Sequence, residues 1–204
     1  MIIVNRKKLV DNLHKISGPS QSKSTFPIFS SVLVDIQDNM ITFTTTDLEM
    51  TMVATMESTA QKQEAFCVSL KKFLSILKEF SSEEVTLKVE KNFLWITCEN
   101  GEFKLNILPK EEFPKVPVFK DKHALKLKGD DIGQMVEMTS FCVFVGEGSY
   151  VLNGTLCEIE KNLIRFVATD GKRLALIERP FPDGQPGINE TKKFIIPYKA
   201  VGEL

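Results

Sequence analysis

The hydrophobic positions of the chain recur in a unit that begins as a β-like run and continues as a helix. Each of four such runs ends at an apolar residue that is followed by another five positions later, in the pairs Val4 and Leu9, Val68 and Phe73, Leu127 and Ile132, and Ile196 and Val201. In the first two copies, spacings of three and four place further apolar residues on one helical face: Leu9, Leu13 and Ile16, then Phe73, Leu77 and Phe80. The copies are 59 to 69 residues apart, which is too long for a simple solenoid repeat and fits a small βαβββ module.

The first and third copies match most closely. "SVLVDIQDNMITFTTTD" at 31–47 lies over "GTLCEIEKNLIRFVATD" at 154–170 without a gap, a shift of 123 residues. Both segments read as two alternating strands joined by a tight hairpin, at Asp38-Asn39 and at Lys161-Asn162, because Asn tolerates a left-handed backbone. The match predicts an internal duplication that gives two phenylalanines equivalent core sites, Phe43 and Phe166.

A Thr-Asp pair ends the second strand of both segments. Aspartate side chains accept bonds from their own downstream amides, so the turn is predicted to be scaffold. Only the later copy continues with Gly171-Lys172-Arg173. A phosphate-binding P-loop would need a longer glycine-rich cradle, a Lys followed by Ser or Thr, and a helix directly afterwards, whereas residues 174–177 read as a strand. A solvated turn and a contact surface remain as the two interpretations.

The rest of the pattern predicts where the domains begin and end. The second copy contains a helix at 71–80 and strands near 85–90, 93–98 and 102–108, and three prolines then mark a connector: Pro109, Pro114 and Pro117. We expect an α+β fold, with a complete domain at 1–120 that has two helices on one face of antiparallel sheets, and an incomplete related domain at 121–204. Because the chain stops where a fourth helix should begin, we expect it to be part of a longer natural chain.

Composition and charge narrow the class of protein. The 204 residues are 43% hydrophobic, enough for one sizeable core or two modest ones. No apolar run approaches the roughly 18 residues of a membrane helix, and the N-terminus lacks the charge order of a secretory signal, so a soluble cytoplasmic protein is predicted. The 26 basic and 27 acidic residues give a net charge of −1, which argues against tight wrapping of nucleic acid by the whole protein.

Little in the sequence suggests catalysis or metal binding. The four cysteines have no close pair and are predicted to be buried, reduced thiols without a zinc site: Cys67, Cys98, Cys142 and Cys157. His14 and His123 have no nucleophile or ligand cluster nearby in sequence. An enzyme that uses Asp47 or Asp170 with Lys172 would lack a second convergent acid, base or nucleophile. We therefore expect no catalytic residue, no metal and no cofactor.

A series of motifs over the whole chain occurs in the order found in one known family. They are "SGP" at 17–19, "FPIFSSVLV", "TDLEM", "EEFP", "YVLNGTLCEIE", "VATDGKRLAL" and "IIPYKAVGEL". The chain resembles the N-terminal portion of the bacterial DNA polymerase III beta subunits, the sliding clamps. This resemblance implies a non-catalytic processivity factor with three similar domains per subunit, each of two modules. Two subunits would close head to tail around duplex DNA, with helices lining the hole and sheets outside.

The resemblance also implies DNA contacts that do not depend on base sequence. Helix cations would line the hole, among them Arg6, Lys7, Lys71, Lys72 and Lys78, and positions matching the family's DNA contacts are Lys23, Lys71 and Tyr150. Val151 departs from the second aromatic residue that the family usually has. The third copy has Gly129-Asp130-Asp131 where the first two have cations, which argues against a uniformly positive lining.

Half of a peptide groove is the second implied site. The matching positions are Leu152, Thr169, Gly171, Lys172, Arg173 and Leu174. Glycine lets a peptide approach the backbone, the leucines offer apolar area, and the cations hold polar groups at the rim, although Lys172 stands where the family more often has histidine. The implied partners are duplex DNA, the catalytic subunit of the replicative polymerase, the clamp loader and other proteins with a clamp-binding motif. The full-length protein would be a ring-shaped homodimer, and this chain alone is expected to be monomeric. A peptide-binding adaptor that does not encircle DNA remains the alternative.

Overall fold

Two copies of one chain path, a strand, a helix and a three-stranded meander, build the first of two units, Met1–Pro117. The computed structural model describes residues 1–21, 26–59, 63–99, 101–117, 125–146, 151–181 and 190–203. The first copy consists of β1 (Ile2–Asn5), α1 (Arg6–Lys15), β2 (Ser31–Gln37), β3 (Met40–Thr46) and β4 (Thr51–Glu57). The second consists of β5 (Glu64–Ser69), α2 (Leu70–Glu79), β6 (Glu84–Glu90), β7 (Phe93–Cys98) and β8 (Gly101–Pro109).

The two copies exchange their first strands. The antiparallel sheet has the order β1-β6-β7-β8-β5-β2-β3-β4, so β1 pairs with the second meander and β5 with the first. Val4 lies opposite Val85, and Val68 lies opposite Val32. Each copy therefore adds a strand to the sheet of the other, and β5 also pairs with the last three residues of β8 in its own copy.

Both helices of the first unit lie over the buried face of this sheet, as the sequence predicts. α1 begins at Asn5, whose Oδ1 accepts a hydrogen bond from the Lys8 amide at 3.0 Å. Leu13 and Leu77 are fully buried in one cluster with residues of both meanders. Truncating either leucine to alanine should cost about 2–5 kcal/mol, because the dense core cannot fill the cavity. The sheet thus fixes the helices with their polar faces toward solvent.

The second unit, Val118–Leu204, repeats the first copy. Its elements are α3 (Gly129–Ser140), β9 (Gly154–Ile159), β10 (Leu163–Thr169), β11 (Leu174–Pro180), β12 (Lys192–Pro197) and α4 (Tyr198–Val201), with the sheet order β11-β10-β9-β12. A shift of 123 residues superposes the ranges of β3 and β4 on those of β10 and β11. Phe43 and Phe166 are 0% and 2% exposed in equivalent strand positions, opposite Val34 and Cys157. The predicted duplication is confirmed.

Two local predictions have different outcomes. Asp38 and Asn39 have left-handed backbones, with φ of 47° and 63°, as a two-residue hairpin requires. Lys161 and Asn162 also join two antiparallel strands, with the Glu160 amide bonded to the Leu163 carbonyl at 2.9 Å, but their backbones are not left-handed, so the hairpin is confirmed there and the expected turn conformation is wrong. The β-like run expected at Leu127 is not a strand either. The equivalent run of the first unit is β1, which forms a strand by pairing with β6. The described residues of the second unit contain no strand equivalent to β6 with which the run at Leu127 could pair.

A row of alternating charges crosses the sheet of the second unit. Glu178, Arg165, Glu158 and Lys193 lie directly opposite one another on four neighbouring strands. Arg165 Nε lies 2.5 Å from a Glu178 oxygen, and its Nη1 contacts both Glu158 and Glu160. Hydrogen bonds from Lys193 and then Arg165 lower the pKa of Glu158, which is almost fully buried. These cross-strand pairs reinforce the register of the sheet.

The cysteines are all free. Cys67, Cys142 and Cys157 are buried as predicted, whereas Cys98 is only half-buried, so the prediction is wrong for that residue. Burial raises the pKa of Cys67 to about 12, with smaller contributions from Glu112 and Glu111. Burial also raises the pKa of Cys157 to about 11. In the part of the chain that the structure describes, no cluster of three or more His, Cys, Asp and Glu side chains could hold a metal ion. No helix among the same residues is long and apolar enough to span a membrane.

Candidate functional site

The turn between β10 and β11 is held by hydrogen bonds from its own side chains. Thr169 Oγ1 accepts from the Gly171 amide at 3.1 Å and donates to the Arg173 carbonyl at 2.7 Å. One carboxylate oxygen of Asp170 accepts from the amides of Lys172 and Arg173, at 3.0 Å each. These two amides, and then the Arg173 guanidinium, lower the pKa of Asp170 to about 2. The aspartate is therefore ionised and holds the turn.

The first unit contains the same turn between β3 and β4. Thr46 Oγ1 accepts from the Leu48 amide at 3.1 Å and donates to the Met50 carbonyl at 3.0 Å. Asp47 Oδ1 accepts from the amides of Glu49 and Met50 at 3.2 and 2.9 Å. The predicted scaffold role is confirmed in both copies. Backbone amides engage both carboxylates, so each aspartate holds its own turn.

The backbone geometry explains why a glycine, Gly171, stands in the turn between β10 and β11. Gly171 has φ of 86°, and the equivalent Leu48 has φ of 75°, so both backbones are left-handed. A side chain is strained in that region, whereas glycine is not. Gly171 leaves open space beside the backbone of the second turn, because a Cβ there would contact nothing within 4 Å. Leu48 instead places a side chain, 70% exposed, over the first.

The predicted groove residues cluster at one end of the second sheet. Thr169, Gly171, Lys172, Arg173 and Leu174 belong to the turn or its flanks. Leu152 precedes β9, whose start lies beside the end of β10, so it lies at the same end of the sheet. It is half-buried, and its carbonyl accepts from the Phe144 amide at 3.0 Å. Leu174 is 63% exposed and offers free apolar area at the start of β11.

Sequence reasoning missed one residue beside this turn. Arg173 Nε lies 2.9 Å from Asp170 Oδ2, and its Nη2 donates to the carbonyl of Phe141 at 2.6 Å. The guanidinium carbon also lies 5.8 Å from the centre of the Phe141 ring. Phe141 is the C-cap residue of α3, 32 positions away from Arg173, and no local pattern connects it with the turn.

The predicted DNA-contact residues have different environments. Lys7 and Lys71 are exposed on the solvent sides of α1 and α2. Arg6 is half-buried, with Nε donating to the Ser82 carbonyl at 2.7 Å and Nη1 to the Leu77 carbonyl at 3.3 Å. It therefore anchors the C-terminal end of α2, where carbonyl groups favour a cation. Lys23 and Tyr150 lie outside the described residues.

The exposed helix faces carry opposite charges in the two units. Those of α1 and α2 present lysines: Lys7, Lys8, Lys15, Lys71, Lys72 and Lys78. α3 contains Asp130, Asp131 and Glu137 and has no basic residue along Gly129–Ser140. Under the 123-residue shift, Asp130 and Asp131 occupy the positions of Lys7 and Lys8. The duplicated helix has thus kept its place in the fold and changed the sign of its surface.

An incompletely paired strand edge is a further feature of the first unit. β8 pairs with β7 from Gly101 to Asn106, whereas β5 pairs only with its last three residues, 107–109. Among the described residues, the other edge of 101–106 has no strand partner. Phe103 on this segment is 46% exposed, and its ring lies 5.6 Å from that of Phe80. Backbone groups and an apolar side chain are therefore both available to a partner.

Comparisons with known proteins agree along the whole chain. The family described as "DNA polymerase III beta subunit, N-terminal domain" matches residues 1–117, and its "central domain" matches residues 126–204. The chain is similar to the beta sliding clamp of Proteus mirabilis, with 31% identity over 205 residues, 99% of this chain and 54% of the relative. The beta sliding clamp of Escherichia coli K12 is also 31% identical, over 98% of this chain and 54% of the relative. The chain thus spans about half the length of the curated relatives it matches.

Solved structures give the same result for the fold. A DNA polymerase III subunit beta from Pseudomonas aeruginosa has a TM-score of 0.88 and 27% identity, over 100% of this chain and 55% of its own. A sliding clamp from Bacillus subtilis has a TM-score of 0.92 at 22% identity, over 99% and 55%, and supports the fold alone. A third structure, a sliding clamp from Pseudomonas aeruginosa bound to griselimycin, has a TM-score of 0.88 and 26% identity, over 98% and 54%.

Proposed function

The chain belongs to the DNA polymerase III beta subunit family, and on that premise we propose that it is the N-terminal part of a replication processivity factor. The full-length protein would encircle duplex DNA without sequence specificity and tether the replicative polymerase. It would act in the cytoplasm, without catalysis, metal or cofactor. Residues 1–120 would form the first clamp domain and 121–204 part of the second. The observation that carries this proposal is the ordered match of two clamp domain models to two structurally duplicated units.

Duplex DNA would contact the helix face of the first unit. The exposed lysines of α1 and α2 offer charge to phosphates without base-edge readout, which suits a protein that must slide. Lys7 and Lys71 are exposed and remain proposed contacts, as do Lys23 and Tyr150. Arg6 is engaged by backbone carbonyls, so we assign it mainly to holding α2. The acidic α3 would contribute little attraction.

Partner proteins would insert a short peptide at the turn of the second unit. Leu174 supplies exposed apolar area, Leu152 lies at the same end of the sheet, and Gly171 leaves its backbone open. The rim cations suit polar or acidic peptide groups. We propose the polymerase catalytic subunit, the clamp loader and other proteins with a clamp-binding motif as the partners. The relative bound to griselimycin supports a ligand site on this fold.

Ring closure would use the edge of β8. A partner strand could add to the segment 101–106, with Phe103 as an apolar contact. The sheet itself ends at β1 and β4, so the segment 101–106 of β8 differs in sequence from both of its ends. A contact between unlike edges is heterologous, and such contacts close into rings when the rotation permits. We therefore propose a head-to-tail homodimer for the full-length protein.

Primer extension tests the tethering function directly. The replicative polymerase would be assayed on a primed circular template with its clamp loader, with and without the full-length protein. We expect the protein to lengthen the products of single binding events, and Leu174→Ala to abolish most of that gain. Products of unchanged length with the wild-type protein would contradict the proposal.

A further inference from the structure

The side chain of Arg173 is largely exposed to solvent, but its guanidinium group makes contacts within the protein. Its side chain is 60% exposed, yet it has contacts with Asp170 at 2.9 Å, with the Phe141 carbonyl at 2.6 Å and with the Phe141 ring at 5.8 Å. The Phe141 carbonyl lies at the C-cap of α3, where the helix dipole favours a cation. The aromatic ring adds a cation–π contact. The planar fork of arginine thus spans the turn and the end of the helix.

We call the contacts of Arg173 with Phe141 the tether, because they join the turn to the end of α3. The first unit shows that the turn does not need such a tether. Its turn makes the same hydrogen bonds, but Met50 stands at the position of Arg173 and Gly18 at that of Phe141. The turn therefore forms without the arginine. The tether to the helix is an addition found in the unit that carries Gly171 and the exposed Leu174.

Lys172 differs from Arg173 in the contacts of its charged group. Its amide bonds Asp170, but no hydrogen bond or ion pair of its ammonium occurs with any described residue. The two adjacent cations therefore have different environments, one held from three directions and one open to solvent.

We propose that Arg173 is a positioning residue of the peptide groove and that Lys172 is the rim cation that meets acidic peptide groups. The assignment rests on the proposed peptide-binding function. Arg173 would fix the start of β11, and with it Leu174, relative to the end of α3. A groove wall held in this way loses less conformational entropy when a peptide binds. The contribution of Arg173 should then be independent of peptide charge, whereas that of Lys172 should depend on it.

Peptide titrations on the full-length protein separate the two roles. The probe is a peptide with the clamp-binding motif of the replicative polymerase, in its acidic form and in a form with Asn and Gln in place of Asp and Glu. We expect Arg173→Ala to weaken both peptides equally, by about tenfold. Lys172→Ala should weaken only the acidic one. Arg173→Lys should behave like Arg173→Ala, because the lysine ammonium lacks the planar fork that reaches Asp170 through Nε and the Phe141 carbonyl through Nη2.

Several results would overturn the assignment. A loss confined to the acidic peptide in Arg173→Ala, or wild-type affinity in Arg173→Lys, would make Arg173 a direct peptide ligand. If Leu174→Ala abolishes binding while Arg173→Ala has no effect, the groove stands and the positioning role is wrong. If neither peptide binds the wild-type protein, the proposed groove itself is wrong, and this role falls with it.

Hydrogen exchange on the full-length protein gives a readout that needs no peptide. The amides of Cys142 and Val143 bond the carbonyls of Thr139 and Ser140 at 3.0 Å each, just beyond the tethered carbonyl. Arg173→Ala should speed their exchange by several-fold, while the turn at Thr46 serves as an internal control that does not change. Unchanged exchange at both amides would mean that Arg173 does not hold the end of the helix.

Discussion

Replacing two acidic residues of α3 by the lysines found at the equivalent positions of α1 should make DNA binding stronger and more dependent on salt. Asp130 and Asp131 occupy the positions that Lys7 and Lys8 have in the first unit, so the double substitution Asp130→Lys, Asp131→Lys gives α3 the two lysines of α1. Both positions lie in the first turn of α3. If this helix faces the duplex as α1 is proposed to, each new lysine can reach a phosphate.

The size of the effect follows from counterion release. Each phosphate contact steepens the slope of log K against log salt by about 0.9, so two contacts add about 1.8. Between 50 and 200 mM salt, the affinity of the variant should fall roughly tenfold more than that of the wild type. The substitution also removes two acidic groups from a helix N-terminus, which should destabilise the chain by about 1–2 kcal/mol. Thermal unfolding must therefore show that the variant is folded at the assay temperature.

Fluorescence anisotropy with a labelled duplex, over a series of salt concentrations, measures the slope. The matched control is Glu57→Lys, Glu84→Lys, which adds the same charge at exposed positions that alternate with buried strand residues. We expect the control to leave the slope nearly unchanged. Equal steepening in both variants would indicate a general charge effect. No steepening in the α3 variant would mean that this helix does not face the duplex.

Three further predictions concern stability. Gly154→Ala should lower the free energy of unfolding, measured in urea, by roughly 1–3 kcal/mol, because a Cβ there would lie 2.5 Å from a backbone oxygen of β12. Gly133→Ala in α3 should raise it by about 0.5–1 kcal/mol, because a Cβ there would meet nothing within 4 Å. The opposite order of stability would contradict the packing. Leu48→Gly should stabilise the chain by about 1 kcal/mol by relieving a φ of 75°, and a loss would show that the exposed side chain makes a needed contact. Because the pKa of Glu158 is lowered from its ordinary value of 4.5, its ionised carboxylate stabilises the folded chain above about pH 4.5. This stabilisation is lost as the pH falls through the lowered pKa of the folded state. Unfolding between pH 3 and 7 should therefore show a shallower acid loss in Glu158→Gln than in the wild type, and equal slopes would exclude this carboxylate.

The sequence predicted the features that depend on local periodicity. The helices follow from apolar residues three and four apart, and the duplicated strands from an ungapped match that includes Phe43 and Phe166. The Thr-Asp turns were predictable because aspartate bonds amides only two or three residues ahead. In each case the responsible interactions lie within a few residues of one another.

Features that depend on distant partners were beyond the sequence. Alternation shows which residues of a strand face the core, but not that β1 pairs with the second meander and β5 with the first. Arg6 reads as a solvated helix cation until the end of α2 is placed beside it. Phe141 and Arg173 are 32 residues apart and meet only in the folded unit.

Topological retention on DNA tests the central proposal most directly. The full-length protein would be loaded onto nicked circular duplex DNA, separated from free protein by gel filtration at moderate salt, and then challenged by cutting the circle once. A ring predicts that the protein stays with the intact circle and is lost after the cut, because it slides off the new ends. Retention that is unchanged by the cut, or no retention on the circle, would contradict encirclement and leave a protein that binds its partners without enclosing DNA.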